Sequence, residues 1–374
     1  MKRVLHIVSC LELGGTEAFI MNNYREINRN EVQFDFLVLT QKEYPYIKEI
    51  QQLGGNVYFG VWPTLKNIVK FYRIFKNVIK QGGNYSTVHC HLNEGNALPL
   101  LCAKLCGIKK RISHSHATPF IPLSKLKKII FVLRKITIKL CGNTFLACSR
   151  DAGKWLYVDD FFGKFGQVIN NGIDITKFLY IESDEIKKLK KEFDIIQKNN
   201  IIVGNISRFD ATKNQLFILD VFEEILKKEP NAILVLGGVD GGQLQEIIEK
   251  VNVLGITKNV RFIGSRTDVP VCLKLIDIYL FPSLSEGLGI ALLEAQAAGC
   301  NCFASTGVSK ESDMGINRVE YYPLSDGAEV WAERIIEKHK EHFRLNSKEI
   351  ISAFTDKEYT IDASVQKLKG VYDA

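Results

Sequence analysis

The chain has 374 residues, 46% hydrophobic and 24% charged, with a formal net charge of +7. That length exceeds one ordinary core and predicts two domains of roughly 150–200 residues each. The absence of an 18-residue apolar run, of a signal peptide at Met1 and of any Cys-x-x-Cys spacing among nine cysteines argues against a membrane span or disulfide framework and for the reducing cytoplasm.

Strands alternate with helices from end to end, which predicts parallel sheets covered on both faces. In the first half, strands are expected near residues 3–9, 33–39, 56–60, 86–90, 111–114 and 144–148. Helices near 16–27, 44–53, 65–81, 95–106, 123–141 and 150–157 fall between them. Gly14 and Gly15 follow the first strand and precede a helix opening with Thr16 and Glu17, where glycine permits close backbone approach or φ > 0. A plain turn with Thr16 as helix cap is the alternative there. Leu11-Glu-Leu-Gly-Gly-Thr-Glu17 does not match the Gly-x-Gly-x-x-Gly of a dinucleotide fold, which argues against a dehydrogenase.

His89 and His91 fall on one face of a strand, and His114 and His116 end another. Their spacing fits no standard zinc site, so no metal is expected. His91 and Asn93 are candidates to line an acceptor pocket. Downstream, residues 126, 129, 130, 133, 137 and 140 form one helical stripe, interleaved with Lys125, Lys127, Lys128, Arg134, Lys135 and Lys139 and no acid. Residues 65–80 repeat the theme with Lys66, Lys70, Arg73, Lys76 and Lys80. Basic amphipathic helices suit an anionic membrane surface, or else a core-packed helix with a solvated basic face.

Charge divides with position. Residues 1–175 hold 24 Lys and Arg against 12 Asp and Glu, whereas residues 176–374 hold 25 against 30. The boundary is expected between Asn170-Asn-Gly-Ile-Asp174 and a lysine-rich helix at 184–198, giving domains 1–175 and 176–358 and a closing hinge near 171–200. A second strand series follows at 201–207, 232–237, 260–264, 278–282 and 301–305. Arg208 and Lys213 lie five residues apart after its first strand.

The most informative stretch is Ser283-Leu-Ser-Glu286-Gly-Leu-Gly289-Ile-Ala-Leu-Leu-Glu294-Ala-Gln-Ala-Ala-Gly299, after the apolar run Ile276–Pro282. Strand, glycine-bearing turn and helix start make an anion site, because first-turn N–H groups and the helix dipole point at the ligand. An ionised carboxylate only accepts hydrogen bonds, so Glu286 in the turn and Glu294, eight residues on and expected about two turns into the helix, suit sugar hydroxyls. Diphosphate on amides and hydroxyls on carboxylates together describe a nucleotide-sugar.

This stretch resembles the Glu-x7-Glu signature of the retaining GT-B glycosyltransferases of family 4. The resemblance covers nearly the whole chain: Gly14-Gly-Thr-Glu17, Asn171-Gly-Ile-Asp-Ile-Thr-Lys-Phe178, Ser207-Arg-Phe-Asp-Ala-Thr-Lys213 and Phe262-Ile-Gly-Ser-Arg-Thr-Asp-Val269 occur in the family's order. Ser305-Thr-Gly-Val-Ser-Lys-Glu311 looks like the bacterial exopolysaccharide and capsule branch. The resemblance implies an α/β fold of two Rossmann-like, doubly wound domains facing a central cleft, with a last helix near 359–371 returning to the first domain. It implies that Glu286 holds the donor sugar with the backbone of Gly287, Leu288 and Gly289. Glu294 would hold the ribose, Arg208 and Lys213 the diphosphate, His116 the donor sugar, and Gly14 and Gly15 a flexible loop near the phosphates.

A retaining transfer to a glycan or lipid-linked acceptor follows, without an enzymatic nucleophile. The chain contains no Asp-x-Asp, the motif metal-dependent relatives commonly use, which fits a metal-free site served by Arg, Lys and a helix terminus. No other cofactor is implied. Leu288 stands where many members have Phe, and Gly237-Gly-Val-Asp-Gly-Gly242 is richer in glycine than usual, so the base stays open, with UDP favoured over GDP. A nucleotide-sugar 2-epimerase of the same architecture is one alternative. A nucleic-acid-binding protein is the other, although the basic half has no recognition helix or aromatic-basic interleaving.

Overall fold

The structure, a computed structural model, describes residues 1–12, 14–64, 66–83, 85–118, 125–195, 201–340 and 346–374. Leu13, Leu65, Leu123 and residues 196–200, each part of an element or motif expected above, lie outside this set. The chain divides into two compact units, residues 1–172 with 361–374, and residues 173–360.

The first unit is built on seven parallel strands: β1 (Lys2–Val8), β2 (Val32–Val38), β3 (Val57–Phe59), β4 (Tyr85–Cys90), β5 (Lys110–Ser115), β6 (Thr144–Ala147) and β7 (Gly166–Val168). Their order is β3-β2-β1-β4-β5-β6-β7. Chain direction across the sheet reverses between β1 and β4, and ligands of such sheets bind beyond the carboxyl ends at that point. β2 is buried along its whole length although it contains Asp35. That carboxylate survives burial because Arg3 grips both its oxygens, at 2.6 and 2.8 Å, and the Tyr85 hydroxyl donates to it at 2.6 Å. The helix Ile361–Asp373 belongs to this unit. It adds Val365, Leu368, Val371 and Tyr372 to a core with Val4, Phe34 and Tyr24.

The second unit has six parallel strands: β8 (Ile202–Ile206), β9 (Ile233–Gly237), β10 (Val260–Gly264), β11 (Ile278–Phe281), β12 (Asn301–Ser305) and β13 (Val319–Tyr322), in the order β10-β9-β8-β11-β12-β13. Here the reversal falls between β8 and β11. The expected strands all form; β7 and β13 are additions. Both are edge strands of three and four residues (Gly-Gln-Val and Val-Glu-Tyr-Tyr), too short to show a period.

The two basic helices differ. Ile68–Gln81 buries Phe71, Phe75 and Val78 and leaves Lys70, Arg73, Lys76 and Lys80 in solvent, an ordinary amphipathic helix. Lys125–Cys141 does the reverse. Ile138 and Cys141 are buried, while Leu126, Ile129, Leu133, Ile136 and Leu140 are 48–68% exposed along one stripe. Its inward face includes Lys135, whose ammonium lies over the rings of Phe131 and Trp155. Among the described residues no helix is long and apolar enough to cross a membrane.

Candidate functional site

In the second unit the switch point is made by two loops. One leaves β8 as Ser207–Asn214, and the other leaves β11 as Pro282–Gly289. Leu284 N–H donates to the Thr212 carbonyl at 2.8 Å, and the Asn214 amide donates to the Pro282 carbonyl at 3.3 Å. This stitching brings Lys213 Nζ to within 2.5 Å of Glu286 Oε1. Both side chains are largely buried, at 21% and 12% exposure, so water screens the pair little. The ammonium also lies over the Phe281 ring.

Gly289 caps the helix Ile290–Ala298 at φ +85°, a conformation that strains any residue with a Cβ. No side chain caps this end and no acid occupies the first turn. Its N–H groups and dipole therefore face outward for an anion. Ser283, at the start of the same loop, buries a hydroxyl with no hydrogen-bond partner among the described residues. Glu294 lies one turn into the helix, half-buried, and burial pushes its carboxyl up to about 7.

Arg208 is exposed, with its stem against Gly241, where a Cβ would come within 2.9 Å. A Cβ on Gly238 would strike the Ser207 carbonyl oxygen at 1.9 Å. The glycine-rich stretch after β9 is thus a device for laying one loop on another, with Phe209 N–H donating to the Val239 carbonyl. Gly307 does the same on the opposite side, since a Cβ there would meet the Leu284 carbonyl oxygen at 2.4 Å. Its own carbonyl accepts from Glu286 N–H. The sequence carries Gly307 within Ser305–Glu311, but only the packing reveals that it supports the Glu286 loop.

In the first unit the switch point collects His91, Asn93 and His116. Asn93, at φ +53°, accepts from the His116 N–H at 2.8 Å, and His91 Nδ1 lies 2.8 Å from His116 Nε2. A recess of about 180 Å³ opens beside them, lined by Ser9, Thr16, Glu17, Trp62, His91 and Asn93, with Val8 and Leu92. Trp62 is 43% exposed and lines this recess with its aromatic ring. Sequence alone carries no site signal for Glu17, and for Trp62 only that of an isolated Trp before Pro63. Gly14 is extended at φ −121° and caps the helix Gly15–Glu26, and neither Gly14 nor Gly15 has positive φ. Thr16 lies within that helix and is not its cap. Thr16 and Glu17 instead face the recess.

The linear spacing of the histidines hides what the sheet does with them. His6 on β1 is level with His89 on β4, and His114 follows on β5, all on one face. His6 Nδ1 meets His91 Nε2 at 2.9 Å, His89 Nε2 meets His114 Nδ1 at 3.1 Å, and Tyr372 OH meets His89 Nδ1 at 2.9 Å. Burial lowers the pKa of every one, to about 3 for His6 and His116, so all five rings are neutral near pH 7.

Residues 186–341 match the family described as glycosyl transferases group 1. The protein of Bacillus subtilis (strain 168) named glycosyltransferase EpsF is 32% identical over 336 residues, covering 89% of this chain and 87% of its own. The capsular polysaccharide biosynthesis glycosyltransferase CapH of Staphylococcus aureus is 27% identical over 380 residues, covering 100% and 99%. An Escherichia coli UDP-Gal:alpha-D-GlcNAc-diphosphoundecaprenol alpha-1,3-galactosyltransferase is 26% identical over 324 residues, covering 81% and 79%. In structure, Anabaena HepE in complex with UDP-glucose matches with a TM-score of 0.81 at 16% identity, covering 100% of both chains. Two Rossmann-like α/β units of this kind are the GT-B fold.

Proposed function

The chain belongs to the group 1 glycosyltransferases, and we propose that it moves a sugar from a UDP-sugar to a hydroxyl of a lipid-linked glycan in bacterial surface polysaccharide synthesis, with retention and without a metal ion. The observation that carries this reading is the second unit's switch point. Lys213 and Glu286 pair there beside an uncapped helix start, and Glu294 lies one turn into that helix, supplying a cation, two hydroxyl acceptors and an anion site.

In this reading the ligand-free Lys213–Glu286 pair opens when donor arrives. Lys213 turns to the diphosphate with Arg208, and the helix N–H groups share its charge. Glu286 accepts from the sugar hydroxyls beside the backbone of Gly287, Leu288 and Gly289. Glu294 accepts from the ribose. As the glycosidic bond breaks, negative charge grows on the leaving phosphate, where preorganised donors stabilise it. The acceptor hydroxyl attacks on the same face and gives its proton to that phosphate, so no side chain serves as nucleophile.

The first unit takes the acceptor, with Trp62 as a stacking face and His91 and Asn93 as polar contacts at the recess, and His116 keeps the donor-sugar contact that the family resemblance implies. Thr16 and Glu17, which follow Gly14 and Gly15 in the chain, line the recess. The exposed apolar stripe of Lys125–Cys141, flanked by lysines, holds this unit to an anionic membrane that carries the acceptor. The names of the E. coli and S. aureus relatives support the acceptor class and pathway.

The test is transfer from radiolabelled UDP-hexoses to undecaprenyl-diphosphate sugars in anionic vesicles, in EDTA, with the product's anomeric configuration read by NMR. An α-linked product from an α-linked donor is expected. An inverted product, activity only with added Mg2+, or donor turnover without acceptor would each overturn part of the reading. Sedimentation with the same vesicles should weaken in Leu133→Asp.

A further inference from the structure

The five-histidine cluster has no part in sugar transfer beyond His91 and His116, yet it is the densest group of nitrogen ligands in the described structure. We propose that His91, His114 and His116 form a site for a borderline divalent metal of the zinc class, and that occupancy switches the enzyme off.

The ligand atoms of these three residues lie within 4.8 Å of one another. Tetrahedral zinc with Zn–N bonds of 2.0–2.1 Å holds its ligand nitrogens about 3.3 Å apart. His91 Nδ1 and His116 Nε2 are 2.8 Å apart, so parting by about half an ångström admits an ion between them. His114 Nε2 is buried and has no partner among the described residues. Unpaired imidazole nitrogens in the interior are uncommon and mark a missing partner.

The rest of the cluster supplies what a metal site needs behind its ligands. His89 holds the remaining nitrogen of His114, and Tyr372 in turn holds His89. His6 holds the remaining nitrogen of His91. Such outer partners fix the tautomer and aim the ring at the ion. The rings are neutral, so their lone pairs are available without proton loss. A second group, His6, His89 and His91, is equally close-set, but His6 and His89 are fully buried and offer no entry. His116 is only partly buried and His91 lines the recess, which gives the outer trio a path for the ion and an open fourth position.

The ion is not a cofactor for transfer. It ties up His91 and His116, so its effect on activity rests on the reading that these residues meet substrate, whereas its binding does not.

The experiment is titration of the EDTA-stripped full-length protein with Co2+ by visible absorption and with Zn2+ by calorimetry. One ion per chain with micromolar affinity and the absorption of nitrogen-ligated, four- or five-coordinate cobalt is expected. His114→Asn should weaken binding at least tenfold, and His339→Asn, outside the cluster, should leave it unchanged. His116→Gln, at the partly buried ligand, repeats the test should the His114 variant misfold. Binding that is absent, or that depends on His339 and not on the trio, overturns the proposal. Tight binding by the trio without loss of transfer would retain the site and overturn the switch, and with it the place of His91 and His116 at the substrate.

Discussion

At the carboxyl ends of its central strands the second unit carries a lysine–glutamate pair, a half-buried glutamate and a bare helix start. At the same point of the same topology the first unit carries neutral imidazoles, an asparagine and a half-exposed tryptophan. Both sites arise where strand order reverses, at β1/β4 and β8/β11. The contrast teaches that the Rossmann-like frame fixes where a ligand sits and the loop residues fix its charge. Charged groups suit a diphosphate and its sugar. A recess of neutral imidazoles and an aromatic ring, with Glu17 to accept hydrogen bonds, suits the hydroxyls of a sugar acceptor.

The largest effect should come from charging the neutral side. His6 and His116 have folded-state pKa values near 3, and His89, His91 and His114 are also depressed, against 6.5 for the free ring. Between those values the unfolded chain binds more protons than the folded one, so stability is lost as pH falls below 6.5. Each buried ring contributes up to about 1.4 kcal/mol per pH unit. Denaturant midpoints measured from pH 7.5 to 5 should fall steeply, and His6→Asn should flatten the fall. A level profile would mean the cluster is already charged or solvated.

Next comes the charged side. Lys213→Ala removes a preorganised cation and leaves Glu286 half-buried without it. Turnover at saturating donor should drop ~100-fold or more. An unchanged kcat would take Lys213 out of the transition state. Trp62→Ala sharpens the comparison from the other side, with acceptor KM rising about tenfold, equivalent to about 1.4 kcal/mol, and donor KM unmoved. A rise in donor KM would place Trp62 at the wrong ligand.

The smallest effect is a titration. Glu294 has its carboxyl near 7, and only the ionised form accepts from two hydroxyls. UDP affinity should therefore rise severalfold from pH 6 to 8, a slope that Glu294→Gln abolishes. Linkage runs both ways, so bound UDP should lower the pKa of Glu294.

The sequence was legible where signals are local. Apolar runs such as Ile278–Phe281 announce buried strands, and Ser283–Gly299 announces an anion site, because strand, turn and helix start are contiguous. The histidine cluster was not legible, since it depends on the register of β1, β4 and β5, and spacing within each strand reveals only pairs. The stripe at Leu126, Ile129, Leu133 and Leu140 could be read, but its direction could not. Period gives a face, and only the neighbouring elements decide whether that face is covered. The packing roles of Gly238 and Gly307 were not legible, because the carbonyls that exclude a Cβ there come from segments 31 and 23 residues away in sequence.

The central claim is that the second unit's switch point holds a nucleoside diphosphate without a metal. Calorimetric titration of UDP into wild-type protein and Glu294→Ala, in EDTA, tests it most directly. Stoichiometric binding of UDP, weakened at least tenfold in the variant, is the expected result. Binding only with added Mg2+, or equal binding by both proteins, would contradict the claim.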